Sequence, residues 1–513
     1  MPSNLKCMSG REHKFPARAG ATPVLRPERM AYRQGYSCDQ SPMVDSRERA
    51  PANGPASLRV PTPESMYRTL RLLAVWALAA VVASAEPFDP SGLLLTWQRD
   101  PTTTMTIDWH SVDGLDVKLV EALSPAHNLP TKVPVYTRTR PAVLEFRAAG
   151  QTAWQKAEGR SFPFPFKEDR QGSLHRDGYS HSFPASERTV HRVELTKLAS
   201  DALYEFRFDE GGRVYRFRTM PKTLTREVRI ASGGDVGFGT WTERMNRIAA
   251  SRDPDFALWG GDLAYCDGAQ ARLGRWYDFF DSVKKSMITP EGRVIPVLAA
   301  VGNHEVQGGY YKKSPDPRES EDARRLRVSP YYMTFFAMPG QPGYNVLDFG
   351  DYLSVILLDS GHLNPVGGAQ AAWLNETLAA RTRVPHVFPS YHVPGFSTFR
   401  PLTDRGATAI REAWVPLFEK YRLSVVFENH DHNYKRTVPI RNMQRDAAGV
   451  TYLGDGAWGA FNIGVKDREE KWYLEKTDSL NHFILVTLKG AEEEFEAINL
   501  LGETFDRHHA RRP

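Results

Sequence analysis

Phe256-Ala257-Leu258-Trp259-Gly260-Gly261-Asp262-Leu263-Ala264-Tyr265 is the stretch that decides how this chain folds. Four apolar residues with no polar alternation read as a short strand covered on both faces, and two glycines end it at once. The first polar residue after the break is an aspartate. The same order recurs along the chain. Val228–Ser232 runs into Gly234-Asp235-Val236-Gly237, and Val294–Val301 into Gly302-Asn303-His304-Glu305. Val384–Pro389 precedes His392, Leu423–Phe427 precedes His430-Asp431-His432, and Leu353–Leu358 is a further apolar run. Helical patterns over Trp241–Ser251, Arg272–Lys285, Gln370–Ala380 and Thr408–Lys420 lie between several of them. Buried strands alternating with helices predict an α/β layered domain over residues 226–500, with its site at the strand ends.

Taken singly, an aspartate after glycine is a common turn residue and a lone histidine is usually structural. Five polar groups in succession, each directly behind a strand, indicate a shared task. Carboxylates and imidazoles together suit iron, zinc or manganese rather than calcium. A carboxylate has two oxygens and can bridge two ions. Two histidines one residue apart, as in His430 and His432, can point to opposite sides of a pair. Two cations roughly 3.5–4 Å apart would screen a phosphate ester's charge and lower the pKa of a bound water.

The series GDVG, GDLAY, GNHE, a histidine before a Pro-containing loop, and NHDHNYKR resembles the purple acid phosphatases, in the subgroup with an N-terminal fibronectin-like domain. The likeness covers most of residues 92–500. It implies a calcineurin-like metallophosphoesterase fold and hydrolysis of phosphomonoesters by water activated at a binuclear metal centre. It also implies Fe(III) in the first site and Zn(II), Mn(II) or Fe(II) in the second. Carried over position by position, Asp235, Tyr265 and His432 correspond to ligands of the first metal, Asp262 to the bridge, and Asn303, His392 and His430 to ligands of the second. Tyr265 separates this family from other metallophosphoesterases, because a phenolate stabilises ferric iron and gives the colour. His304 corresponds to the histidine that hydrogen-bonds the phosphate.

Two positions depart from the family pattern. Asn429 stands where glycine is usual, and asparagine can adopt the left-handed backbone that glycine supplies. After His392 the family carries one or two further histidines that bind substrate and protonate the leaving group, whereas Val393–Arg400 has none. Arg400 could clamp phosphate through its fork of donors, but a guanidinium does not serve as a general acid. Esters with good leaving groups would then be favoured. The glycines around Gly454, Gly456 and Gly459 resemble a family loop near the site.

Before the α/β part the pattern is different. In Tyr204–Asp209 and Tyr215–Thr219 aromatic and charged residues alternate, which is the period of half-buried antiparallel strands. With Trp97, Thr104–Trp109 and Leu195–Tyr204 they predict an all-β, fibronectin type III-like sandwich over residues 86–220, with Tyr204 as a corner tyrosine and a long loop over 161–186.

The formal charge of +5 is concentrated upstream, where residues 1–85 hold twelve Lys or Arg against six acids and leave −1 for residues 86–513. That balance gives no footprint for nucleic acid. Arg68, Arg71, the apolar run Leu72–Val82 and Ala83-Ser84-Ala85 follow the order of a signal peptide, too short to be a transmembrane anchor. Residues 1–65 read as a disordered or mis-assigned extension, 66–85 as the signal with translation starting at Met66, and 501–513 as a basic tail. The product is then secreted, to a periplasmic or extracellular location. Cys7 and Cys38 precede the signal, so Cys266 alone remains and no internal disulfide forms. The expected function is a secreted acid phosphatase acting on small phosphate esters. The alternatives are a phosphodiesterase or nucleotide hydrolase on the same centre, or a non-catalytic fibronectin-bearing surface protein.

Overall fold

The computed structural model describes Phe88 and residues 90–113, 141–163, 187–269, 272–340, 343–454 and 456–512. The chain divides into Met1–Ala83 and a compact unit Ser84–Pro513, and every described residue lies in the second. The expected signal segment, its upstream extension and residues 164–186 of the expected loop fall outside the described residues.

Two sheets layer against each other at the centre of this unit. One has six strands in the order Val297–Ala299, Phe256–Trp259, Val228–Gly233, His482–Lys489, Glu492–Asn499, Thr504–Ala510. The other has seven, in the order Asn345–Phe349, Leu353–Leu357, His386–Ser390, Val425–Glu428, Thr451–Gly454, Tyr434–Thr437, Leu474–Asp478. The strands that precede the candidate residues pair in parallel: Phe256–Trp259 with both of its neighbours, and His386–Ser390 with Leu353–Leu357 and Val425–Glu428. Parallel pairing sends their carboxyl ends to one side, where successive loops meet. Between the sheets Phe495 packs on Phe388 at 6.0 Å and on Phe427 at 6.1 Å.

Helices Thr240–Ser251, Gly274–Ser286 and Ala369–Ala379 match the periodic stretches to within two residues. The predicted single helix over 408–420 is instead two, Arg405–Ala413 and Val415–Lys420. Pro416 has no amide hydrogen to continue the first, and it is tolerated in the opening turn of the second. Asp404 caps the first by accepting from Ala407 N at 3.1 Å.

The strand-rich amino-terminal part forms two four-stranded antiparallel sheets, one built around Met105–Asp113 and Glu187–Leu195, the other around Val143–Ala148 and Leu203–Arg207. Tyr204 Oη accepts from Ala199 N at 2.9 Å, tying its strand to the preceding connection. Glu205, expected to face water, is buried because Arg147 at 2.8 Å and Arg216 at 3.1 Å cover it. The loop expected from Ser161 begins later, since Arg160–Pro163 is an edge strand. One apolar cluster runs from Leu93 through the α/β sheets to Ala497, with Trp97 edge-on to both Phe256 and Phe349.

The carboxyl end corrects the reading of a basic tail. Thr504–Ala510 is a strand paired to Glu492–Asn499, and it places His508 6.0 Å from Phe495. Arg512 then donates to the carbonyls of Arg381, Val384 and Tyr421 at 2.7–2.9 Å. The partner strand would otherwise leave a row of backbone groups unpaired at the sheet edge.

Candidate metal centre

All seven ligand candidates converge. Donor atoms of Asp235, Asp262, His392 and His430 lie within 4.8 Å of one another, and all four residues are buried. Tyr265 Oη lies 3.2 Å from Asp235 Oδ1 and 3.3 Å from His432 Nε2, while His432 Nε2 is 2.9 Å from the same carboxylate oxygen. On the other side His392 Nε2 is 3.0 Å from Asn303 Oδ1, 3.1 Å from Asp262 Oδ2 and 2.9 Å from His430 Nδ1.

The donor chemistry fits cations. His392 Nδ1 donates to Gly260 O at 2.9 Å and His432 Nδ1 to Phe461 O at 2.9 Å, so each ring turns its Nε2 inward. At His392 three acceptor-type atoms surround that one nitrogen. A single proton cannot serve all three. His430 Nε2 is buried without a hydrogen-bond partner, a costly arrangement for a polar atom unless an ion takes it up. Electrostatics agree. Burial disfavours charge on His392, yet the Asp262 and Asp235 carboxylates outweigh it and push the ring up to about 9. Burial likewise opposes the Asp262 carboxylate, but His392, His304 and His430 hold it well below the usual range. Burial and the charges of Asp235 and Asp262 drive the Tyr265 phenol far upward, so its ionisation requires a strong positive partner. The set fits a binuclear centre.

Local backbone explains how short loops aim so many donors at one point. Asp235, Asp262, Tyr265, His430 and His432 all have positive φ, between 52° and 83°. Such left-handed backbone is uncommon outside glycine and clusters at functional sites. Asn429 is not among these residues, which corrects the expectation that it replaces glycine by going left-handed. Its side chain instead fills space: a β-carbon on Gly234 would come within 2.5 Å of Asn429 Oδ1, and one on Gly260 within 1.7 Å of its Nδ2. That amide nitrogen donates to Tyr391 O at 2.8 Å.

His304 lies at the edge of the cluster, about a third exposed, with Nε2 3.9 Å from Asp262 Oδ2. Its Nδ1 bonds Asp267 Oδ1, and Arg272 braces that carboxylate. Burial lowers the His304 pKa, but the Asp267 bond and the charges of Asp262 and Asp267 raise it overall. Arg400 bonds Asp431, the residue between the two loop histidines, and is under a third exposed. Part of its fork is therefore already engaged.

Several residues that organise the site escape sequence reading. Glu305, the last residue of GNHE, accepts from Asp262 N and Gly302 N at 2.8 Å and from Leu263 N at 2.7 Å, joining two ligand loops. Asp431 accepts from Ser397 Oγ at 2.6 Å and Thr398 N at 2.8 Å. Glu428 pairs with Lys435 at 2.7 Å, both fully buried, and accepts from Gly395 N at 2.7 Å and Tyr391 Oη at 2.8 Å. These carboxylates hold the loop after His392. His362, also unmarked in the sequence, packs 5.6 Å from His392. It is fully buried, with its nitrogens on Gly309 O and Ser360 Oγ, and burial lowers its pKa to about 3. It cannot replace the histidine missing from Val393–Arg400.

Comparison with known proteins gives the same reading of the fold. Residues 228–434 match the model of the calcineurin-like phosphoesterase family. An uncharacterized protein of Mycobacterium tuberculosis is 25% identical over 372 residues, 68% of this chain and 62% of that protein. Purple acid phosphatase 21 of Arabidopsis thaliana is 27% identical over 298 residues, 57% of this chain and 63% of that protein. The chain thus spans less than two thirds of the length of these curated relatives. Among solved structures, the purple acid phosphatase PPD1 from yellow lupin seeds superposes with a TM-score of 0.61 at 17% identity, covering 82% of this chain and 74% of that one. Fold, donor set and relatives agree: residues 228–434 form a calcineurin-like phosphoesterase domain, in a chain that has purple acid phosphatases among its homologues.

Proposed function

We propose that the protein is an exported acid phosphatase that hydrolyses phosphomonoesters at a binuclear centre. The observation that carries this reading is the convergence of seven donors, with lone pairs facing one another and the buried His430 Nε2 unpartnered. Asp235, Tyr265 and His432 would hold Fe(III), Asn303, His392 and His430 would hold Zn(II), Mn(II) or Fe(II), and Asp262 would bridge. When bound, two such ions neutralise phosphoryl oxygens and make water nucleophilic near neutral pH. His304, oriented through Nδ1 by Asp267, presents Nε2 to a phosphoryl oxygen and stabilises charge that grows there. Arg400 contributes whatever donors Asp431 leaves free. The fibronectin-like reading of residues 86–220 and the signal peptide at 66–85 belong to the same proposal, the latter tested by sequencing the amino terminus of the exported chain.

Against a non-catalytic surface protein stands the completeness of the donor set. The deciding experiment reconstitutes residues 86–513 with iron and zinc or manganese, then follows phosphate release and the visible spectrum. Asp262→Asn is expected to lose turnover about a thousandfold or more, ~4 kcal/mol of barrier. Tyr265→Phe should lose the visible band. Undiminished turnover in the first variant would remove the metal-centre assignment.

A further inference from the structure

His362 is a fully buried histidine outside the donor set, yet its ring lies edge-on to His392 at 5.6 Å. Both of its nitrogens are committed. Nδ1 faces Gly309 O at 2.8 Å, and a carbonyl oxygen only accepts, so this nitrogen carries the ring proton. Burial keeps the ring neutral, which leaves Nε2 to accept from Ser360 Oγ at 3.1 Å. That hydroxyl oxygen in turn accepts from Val393 N at 2.9 Å. A one-way chain of hydrogen bonds therefore runs from Val393 through Ser360 and His362 to Gly309.

The ends of that chain lie beside two ligand candidates of the same metal. Val393 directly follows His392, and Gly309 packs so closely on Asn303 that a β-carbon there would sit 3.6 Å from Asn303 Cβ. These two candidates come from different sheets. Asn303 follows strand Val297–Ala299 of the six-stranded sheet, and His392 follows strand His386–Ser390 of the seven-stranded one. Their spacing thus depends on what ties the two loops together. Tyr311 N adds a second tie by donating to Gly361 O at 2.8 Å. The loop that carries His362 is itself fixed, because the buried Asp359 carboxylate accepts from the amides of Gly361, His362, Leu363 and Asn364 at 2.5–3.2 Å. None of these bonds involves Asp235, Tyr265 or His432.

We infer that His362 is a positioning residue for the second metal site: with Ser360 it sets the spacing of Asn303 and His392, and so the affinity for the second ion but not for the first. The inference rests on the binuclear reading of the centre and extends it to a residue that touches neither ion. An imidazole suits the task, since a neutral ring offers one donor and one acceptor on opposite sides of a rigid plane.

Metal binding tests this more directly than turnover does. Protein carrying Fe(III) is titrated with Zn(II) against a chelator, while the visible band of the tyrosine-bound ion reports the first site. His362→Leu fills the space but offers neither donor nor acceptor. It is expected to weaken Zn(II) binding about 10–100-fold, the usual effect of losing a ligand's support, and to leave the visible band in place. His362→Gln keeps a donor and an acceptor in its carboxamide and should restore most of the affinity. Ser360→Ala breaks the same chain without altering the imidazole, so it should weaken Zn(II) binding in the same sense and decides the matter if His362→Leu does not fold. Wild-type Zn(II) affinity in these two chain-breaking variants would overturn the inference, and so would equal losses at both sites, which would mark a general role in folding. If the wild-type protein takes up neither ion, the binuclear reading itself falls, and the inference with it.

Discussion

Gly456 turns with φ 67°, and a β-carbon there would meet Asp235 Oδ2 at 1.9 Å and His430 N at 2.5 Å. Gly456→Ala is therefore expected to push Asp235 off its aim and to weaken metal binding by about 10–100-fold, the usual effect of disturbing a ligand's support. A chelator competition would measure it, and unchanged affinity would show that the loop yields. At this scale the ligand candidates were legible because metal chemistry restricts donors to a few residue types and each followed a strand. Residues whose work is to accept backbone amides were not. Glu305 and Asp431 sit inside the recognised motifs, yet nothing in their type distinguishes a carboxylate that joins two loops from one that faces water. Asn429 was misread for a related reason, because its role depends on Gly234 and Gly260, distant in sequence.

Among the elements, the loop after His392 hangs on the Glu428–Lys435 pair, which links strands Val425–Glu428 and Tyr434–Thr437. Lys435→Met leaves a buried carboxylate without its counter-charge and is expected to cost about 3–5 kcal/mol. Adding Glu428→Gln should recover much of that loss in urea unfolding. If the single variant is as stable as the wild type, the pair is not what secures the loop. The strands and helices themselves were largely visible, since runs such as Phe256–Trp259 and periodic stretches such as Trp241–Ser251 declare their environment. The break at Trp414 was missed because hydrophobic periodicity continues across Pro416, and the edge strand Thr504–Ala510 because its pairing partner alone gives it shape.

For the whole molecule, acidity weakens the fold through buried histidines. His482 is fully buried against Tyr434 and Phe505, and burial lowers its pKa to about 4 from an ordinary 6.5. A depressed value means that the stability present above pH 6.5 is lost as the pH falls toward 4, when the unfolded chain takes up the proton first. At about 1.4 kcal/mol per unit the loss approaches ~3 kcal/mol. His508, lowered to about 4 by burial and by Arg436, acts in the same direction. Between pH 7 and 4.5, His482→Phe should lose less unfolding free energy than the wild type, and equal losses would exclude this histidine as a cause of acid sensitivity. The α/β class and its strand-end site were readable across the chain. The shared core was not, because contacts such as Trp97 with Phe256 and Phe349 join segments far apart in sequence.

Five ligand candidates sit in left-handed backbone, a conformation that costs on the order of 1 kcal/mol or more at each such residue. Bound metal would offset that cost, and the ions would then act as fasteners on coiled springs. Stripping them is expected to speed amide hydrogen exchange at Asp262–Tyr265 and His430–His432 while the central strands stay protected. A metal-free chain would thus keep its fold and lose its aim.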